Sequence, residues 1–155
     1  MDLVVDSFSK TELILKRCNV DSPEALATVK KEVSILQRFK GPYVVELLAS
    51  DVVMKNHGRS KEALLLLAMC PGGHLLDRLN QRNGTLFPAE SIYRIFGQVL
   101  LSVQPLHNSS ITHRDLKLEN ILFGTDGKVR LCDFGSCVEG HIPLTSMQVE
   151  SDWIG

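Results

Sequence analysis

Two short stretches of the sequence hold the side chains that phosphoryl-transfer chemistry needs. The first is His113-Arg114-Asp115-Leu116-Lys117-Leu118-Glu119-Asn120, and the second is Asp133-Phe134-Gly135. Moving a phosphoryl group onto a hydroxyl requires a base near the attacking oxygen, cations beside the phosphates and fixed metal ligands. Asp115 can take the hydroxyl proton, and Lys117, two residues on, can hold the transferring phosphate. Asn120 offers a neutral oxygen to Mg²⁺, a hard ion that prefers oxygen ligands, and Asp133 supplies a second ligand. Asp133 follows Asp115 by 18 residues, room enough for a hairpin that returns both carboxylates to one place. Either stretch alone could be a turn or a run of surface charge. Both together, in this order and on either side of a hairpin, are poorly explained that way.

The elements around these stretches can be read from periodicity. Leu3–Asp6 and Glu12–Arg17 are short β-rich runs around the polar turn Ser7–Lys10, a hairpin pattern. Ser22-Pro23-Glu24 opens a helix, with Ser22 as cap and Pro23 at the first position. Its apolar stripe is Leu26, Val29, Val33 and Leu36, and Gly41-Pro42 stops it. Val44–Val53 and Ala63–Ala68 read as two further strands. Pro71-Gly72-Gly73 breaks the chain and divides it into residues 1–70 and 71–155. A short helix over Leu75–Gln81 follows, and Pro88 starts a longer one. That helix carries Ile92, Ile95, Phe96, Val99, Leu100 and Val103 on one face, which predicts burial against a core. Pro105 in its last turn removes a backbone donor. Ile121–Phe123 and Lys128–Cys132 flank Gly124-Thr125-Asp126-Gly127 as a second hairpin, and the tail from Val138 reads as a loop. Strands come first and helices dominate later, so the fold class is α+β with a hinge in the middle.

Bulk composition narrows the function classes. The formal net charge is −1 over 155 residues, so no basic field points to nucleic acid or an anionic membrane. The longest apolar run, Ala63–Cys70, is far too short to span a bilayer, and Met1–Lys10 does not resemble a secretory signal. Cys18, Cys70, Cys132 and Cys137 form no CxxC pair and read as reduced thiols of a cytoplasmic protein. Cys132, Cys137 and His141 fit no common zinc spacing.

The loop His113–Asn120 together with Asp133-Phe134-Gly135 resembles that of the eukaryotic protein kinases, and Lys117 is similar to the serine/threonine class. The resemblance implies a two-lobed kinase fold, with residues 1–70 as the N-lobe and 71–155 as the C-lobe. It implies ATP and Mg²⁺ as cofactors, Asp115 and Lys117 as catalytic residues, and Asn120 and Asp133 as metal ligands. Lys16, ending Leu13-Ile14-Leu15-Lys16, takes the place of the lysine that grips the ATP phosphates, and Glu32 that of its helix partner. Leu67 takes the gatekeeper position, Ala68, Met69 and Cys70 lie against adenine, and Leu122 supports it from below. Leu36, Leu47, His113 and Phe134 form a stacked spine, and Arg114 binds a phosphate or acid on the activation segment. Ser136, Thr145 and Ser146 are candidate phosphosites in that segment. Cys132–Ser136, Cys70–His74, Leu79-Asn80-Gln81-Arg82 and the 16-residue spacing of Lys16 and Glu32 resemble the Numb-associated kinases. That likeness implies endocytic adaptor or actin-patch proteins as substrates, and a cytoplasmic enzyme peripheral at endocytic membranes.

Three departures accompany the resemblance. No Gly-rich phosphate loop precedes Lys16, Ile14 stands where kinases usually carry Ala against adenine, and no Ala-Pro-Glu follows Asp133. The expectation is a truncated kinase-like fold, lacking the Gly-rich loop and the C-terminal helices. Two readings follow: an ATP-dependent protein serine/threonine kinase, or an inactive fragment or pseudokinase that serves as a binding module.

Overall fold

The computed structural model describes residues 1–140; Thr145, Ser146 and His141 lie outside them. Strands β1 (Asp2–Val5) and β2 (Glu12–Asn19) form the expected hairpin. Its turn is set by Asp6, whose carboxylate accepts the Phe8 and Ser9 N–H groups at 2.8 Å each. Strands β3 (Leu47–Lys55) and β4 (Ser60–Ala68) complete a four-stranded antiparallel sheet in the order β1-β2-β4-β3. The register places Lys16 opposite Leu65 and Ile14 opposite Leu67.

Helix α1 (Pro23–Arg38) packs against this sheet. Ser22 caps it as its spacing predicts, with Oγ accepting the Ala25 N–H at 3.1 Å. The buried face comprises Val29, Glu32, Ile35 and Leu36. A carboxylate is therefore carried on the apolar stripe, where only a cation partner makes it tolerable.

After the join at Cys70–His74, the chain forms α2 (Leu75–Asn80), α3 (Ala89–Asn108) and four short strands. Strand β5 (Ile111–Thr112) pairs with β8 (Val138–Glu139), and β6 (Ile121–Phe123) with β7 (Val129–Leu131). The main core runs through both halves, from Ile35, Leu36 and Leu65 to Leu106, Leu131 and Phe134.

Three expectations change. The strand expected from Val44 begins at Leu47. Tyr43–Val45 instead turns toward β7, where the Leu131 N–H donates to Tyr43 and the Val45 N–H to Leu131, both at 2.9 Å. The tail read as a loop from Val138 pairs with β5, and the Gly140 N–H reaches the Ser110 carbonyl at 2.8 Å. The long stripe on α3 is only half buried. Val103 and Leu106 enter the main core, and Ile95 and Val99 pack on the β6–β7 cluster. Ile92, Phe96 and Leu100, on the neighbouring ridge, are 52%, 60% and 50% exposed. An apolar arc that wide exceeds what one packing face covers. Pro105 lies inside α3, in its last turn, with the helix continuing to Asn108. Among the described residues, no helix is long and apolar enough to cross a membrane.

Candidate active site

The stretch between β5 and β6 is held by buried hydrogen bonds rather than by regular structure. His113 is 1% exposed. Its Nδ1 accepts the Asp115 N–H at 3.3 Å, so the proton lies on Nε2, which donates to the Cys132 carbonyl at 3.2 Å. Desolvation lowers its pKa, outweighing that carbonyl and the nearby Asp115 and Asp133 carboxylates, which agrees with the neutral tautomer. The imidazole meets the fully buried Phe134 ring edge-on, 5.0 Å between centroids. Leu36, Leu47 and Phe134 belong to one buried core, and the buried His113 joins it through Phe134. This packing ties the loop carrying Asp115 to the segment carrying Asp133. Arg114 and Asp133 both adopt left-handed backbone, φ 69° and 60°. Non-glycine residues accept that conformation only where surrounding contacts hold it.

Asn120 is the centre of the loop. Its Nδ2 donates to the Asp115 carbonyl at 2.8 Å and to Asp115 Oδ2 at 2.9 Å. The Asn120 backbone carbonyl accepts the Cys132 N–H at 3.0 Å. With the amide nitrogen committed, Oδ1 is the Asn120 side-chain atom left for a ligand. Lys117 Nζ lies 3.0 Å from Asp115 Oδ2. Desolvation pushes the Asp115 carboxyl up, but the hydrogen bonds from Lys117 and Asn120 together hold it below the ordinary carboxylate value. It is therefore ionised at neutral pH, the state a proton acceptor needs.

Lys16 bridges the two halves of the molecule. Its Nζ lies 2.7 and 3.0 Å from the two Glu32 oxygens and 3.2 Å from Asp133 Oδ1. Glu32 is 4% exposed. Desolvation pulls the Lys16 pKa down, and the contacts with Glu32 and Asp133 outweigh it and raise it above 10.5.

These groups surround one cavity of about 330 Å³ between the sheet and the second half. Lys16, Glu32, Asn120 and Asp133 line its charged end. Ile14, Leu67, Ala68, Met69, Cys70 and Leu122 line its apolar end. Asp115 and Lys117 are not in the wall; Asp115 stands one hydrogen bond away, on Asn120. A slot with apolar walls at one end and a lysine between carboxylates at the other suits a flat base joined to phosphates. Asn120 and Asp133 offer oxygen donors only, one anionic. They fit Mg²⁺ sharing its shell with phosphate oxygens and water, not a cage built by protein alone. Among the described residues, no group of three or more His, Cys, Asp or Glu side chains is placed to hold a metal. Cys132 and Cys137 are instead thiols that burial pushes up to about 12 and about 11.

Sequence reasoning did not anticipate Met1, Val45, His74, Glu119 and Cys132 as further wall residues. Nor did it anticipate the direct contact of Lys16 with Asp133. The segment with which Arg114 was expected to interact lies largely outside the described residues.

A family model described as "Protein kinase domain" matches residues 3–154. Serine/threonine-protein kinase AKL1 of Saccharomyces cerevisiae is 36% identical over 126 residues, covering 79% of this chain and 11% of that protein. Serine/threonine-protein kinase Nek6 of Oryza sativa subsp. japonica is 33% identical, covering 86% of this chain and 24% of its own length. Serine/threonine-protein kinase ppk30 of Schizosaccharomyces pombe is 33% identical, covering 86% and 14%. The chain thus spans between 11% and 24% of the length of these three relatives.

Proposed function

This chain belongs to the protein kinase family, and we propose that it provides the site at which the ATP γ-phosphoryl group passes to a serine or threonine hydroxyl of a protein. The observation that carries this is the convergence on one cavity of Lys16, Glu32, Asn120 and Asp133, drawn from four separate segments, with Asp115 one hydrogen bond behind. In this reading residues 1–70 make the first lobe, and the described residues from 71 to 140 belong to the second.

In this reading Ala68, Met69, Cys70 and Leu122 hold the adenine. Lys16, oriented by Glu32, positions the phosphates. Asn120 and Asp133 would hold Mg²⁺, which would neutralise charge on the phosphates. Asp115 orients the substrate hydroxyl and accepts its proton. The hydroxyl oxygen forms a bond to the γ-phosphorus as the bond from that phosphorus to the bridging oxygen breaks, and ADP leaves with the electron pair. Lys117 lies beside Asp115, within reach of the transferring group. Ile14 in the wall of the base end argues for weakened adenine binding, which favours the rival reading, an inactive kinase fragment or pseudokinase that serves as a binding module.

The hinge and α2 motifs, with the likeness to AKL1, support a place among the Numb-associated kinases. Endocytic adaptor or actin-patch proteins are then the substrates, and the cytoplasmic face of endocytic membranes the location.

The test is phosphate transfer from labelled ATP to a serine/threonine protein substrate. Asp115→Asn and Asp133→Asn should each lower the rate at least about 10²-fold, the scale for losing one positioned catalytic group. Asp115→Asn should leave nucleotide affinity near native, because Asp115 is outside the cavity wall. Transfer indifferent to both substitutions would refute the assignment. Nucleotide binding without transfer would establish the binding module instead.

A further inference from the structure

The join between the two halves is fastened to β6 by contacts that phosphoryl chemistry does not itself require. The Gly72 N–H donates to the Phe123 carbonyl, and the Phe123 N–H donates back to the Gly73 carbonyl, both at 3.0 Å. His74 and Leu122 extend this as an antiparallel bridge. Arg78, from α2, closes over it. Its Nε donates to the Gly72 carbonyl at 3.0 Å, and its guanidinium carbon sits 3.7 Å from the centroid of the buried Phe123 ring. There is no room at Gly72 for a side chain. A Cβ there would stand 2.5 Å from an Arg78 nitrogen and 2.6 Å from Phe123 Cβ.

Both layers of this clamp continue directly into the cavity wall. Met69 and Cys70 precede Gly72, and Leu122 precedes Phe123. We propose that Arg78 is a positioning residue for nucleotide binding: by pressing Gly72 onto Phe123, it sets the separation between Met69–Cys70 and the floor at Leu122. The proposal rests on the nucleotide reading given above. A guanidinium suits the task because its flat face stacks on the ring while its edge donates to the carbonyl, which an ammonium cannot do at once.

The clamp shapes the base end of the slot and not the phosphate end, and this gives it a distinctive signature. Arg78→Ala should weaken adenosine and a Mg²⁺-bound non-hydrolysable ATP analogue by the same factor, about tenfold for losing a charged hydrogen bond and a stacked cation. Calorimetry on the full chain, well below the melting temperature of each variant, measures both. Arg78→Lys should recover only part of the loss, because an ammonium can keep one of the two contacts and not both. Should Arg78→Ala fail to fold, Phe123→Leu removes the ring face and should weaken adenosine about fivefold. A lowered melting temperature with native adenosine affinity, in whichever of these variants folds, makes Arg78 a structural residue only and overturns the proposal. Loss confined to the ATP analogue also overturns it. A native chain that binds neither ligand sinks the nucleotide reading, and the clamp with it.

Discussion

Replacing Glu32 with Gln keeps the side-chain shape and removes one charge from a nearly water-free pair. Glu32 now accepts from Lys16 Nζ at 2.7 and 3.0 Å, and it is 4% exposed. A glutamine keeps one neutral acceptor and loses the other. Hydrogen bonds to charged groups contribute about 1.5–3 kcal/mol and neutral ones about 0.5–1.5. Asp133 retains its own contact with Lys16 at 3.2 Å, so the loss stays below the roughly 3–5 kcal/mol of a fully broken buried pair. The expected cost is about 2 kcal/mol at neutral pH. The Lys16 pKa is raised above its unfolded value of 10.5. Its contribution is therefore complete below 10.5 and is lost as pH rises through the folded value, so neutral pH reads all of it. Urea unfolding followed by circular dichroism gives the number. A second effect separates this account from simple destabilisation. With Glu32 neutral, Lys16 leans on Asp133 and competes for an oxygen assigned to metal, so nucleotide affinity should fall more with Mg²⁺ than without it. An unchanged urea midpoint and slope would refute the reasoning. It would mean that desolvating the pair costs as much as the contacts return.

Three further outcomes follow from the same geometry. Asp115 is held below the ordinary carboxylate value chiefly by hydrogen bonds from Lys117 and Asn120 that overcome desolvation; Lys117→Ala should shift the acid limb of the rate–pH profile to higher pH, and an unmoved limb counts against Asp115 as proton acceptor. Cys132 and Cys137, pushed up to about 12 and about 11 by burial, should resist alkylation at mildly alkaline pH and react once urea unfolds the chain, as mass spectrometry of the labelled peptides would show. On α3, Leu106→Ala should cost about 2–5 kcal/mol, whereas Phe96→Ser should fall within about 0.5 kcal/mol of native; equal costs in thermal unfolding would mean that the exposed ridge is covered in solution.

The His113–Asn120 loop was legible because its chemistry is local. A base, a cation and a neutral oxygen ligand sit within Asp115–Asn120, and the turn Gly124–Gly127 announces the return to Asp133. Lys16 and Glu32 were legible only through the resemblance carried by the downstream loop, since each alone reads as a solvated charge; the structure adds that Glu32 lies on the buried face with Val29 and Leu36, where an unpaired carboxylate is untenable. What could not be read depended on partners distant in sequence. Val44 and Val45 continue an apolar run into β3, and nothing local says that they turn toward Leu131. Two residues at Val138–Glu139 are too few to show a period, yet they pair with β5. The stripe on α3 marks which residues prefer burial, but whether Phe96 obtains it depends on neighbours the helix itself does not specify.

The glycines at the join show the same division within two adjacent residues. Read from sequence, Pro71-Gly72-Gly73 is a chain break, and a break suggests a loose connection. The structure gives the two glycines separate reasons. Gly73 has φ 67°, a backbone conformation that L-residues other than Asn and Asp rarely accept, and its nearest side-chain neighbour would meet a Cβ at an ordinary 3.4 Å. Gly72 is required by space, since a Cβ would penetrate both Arg78 and Phe123. The first requirement is local and is the one turn signals encode. The second arises only because Phe123, 51 residues later, lies underneath. The join therefore acts as a fastening at Gly72–His74, where backbone and side chain hold it to β6. With Gly72–His74 held to β6, relative movement of the two halves is expected around Ala68–Pro71, where Ala68, Met69 and Cys70 line the cavity.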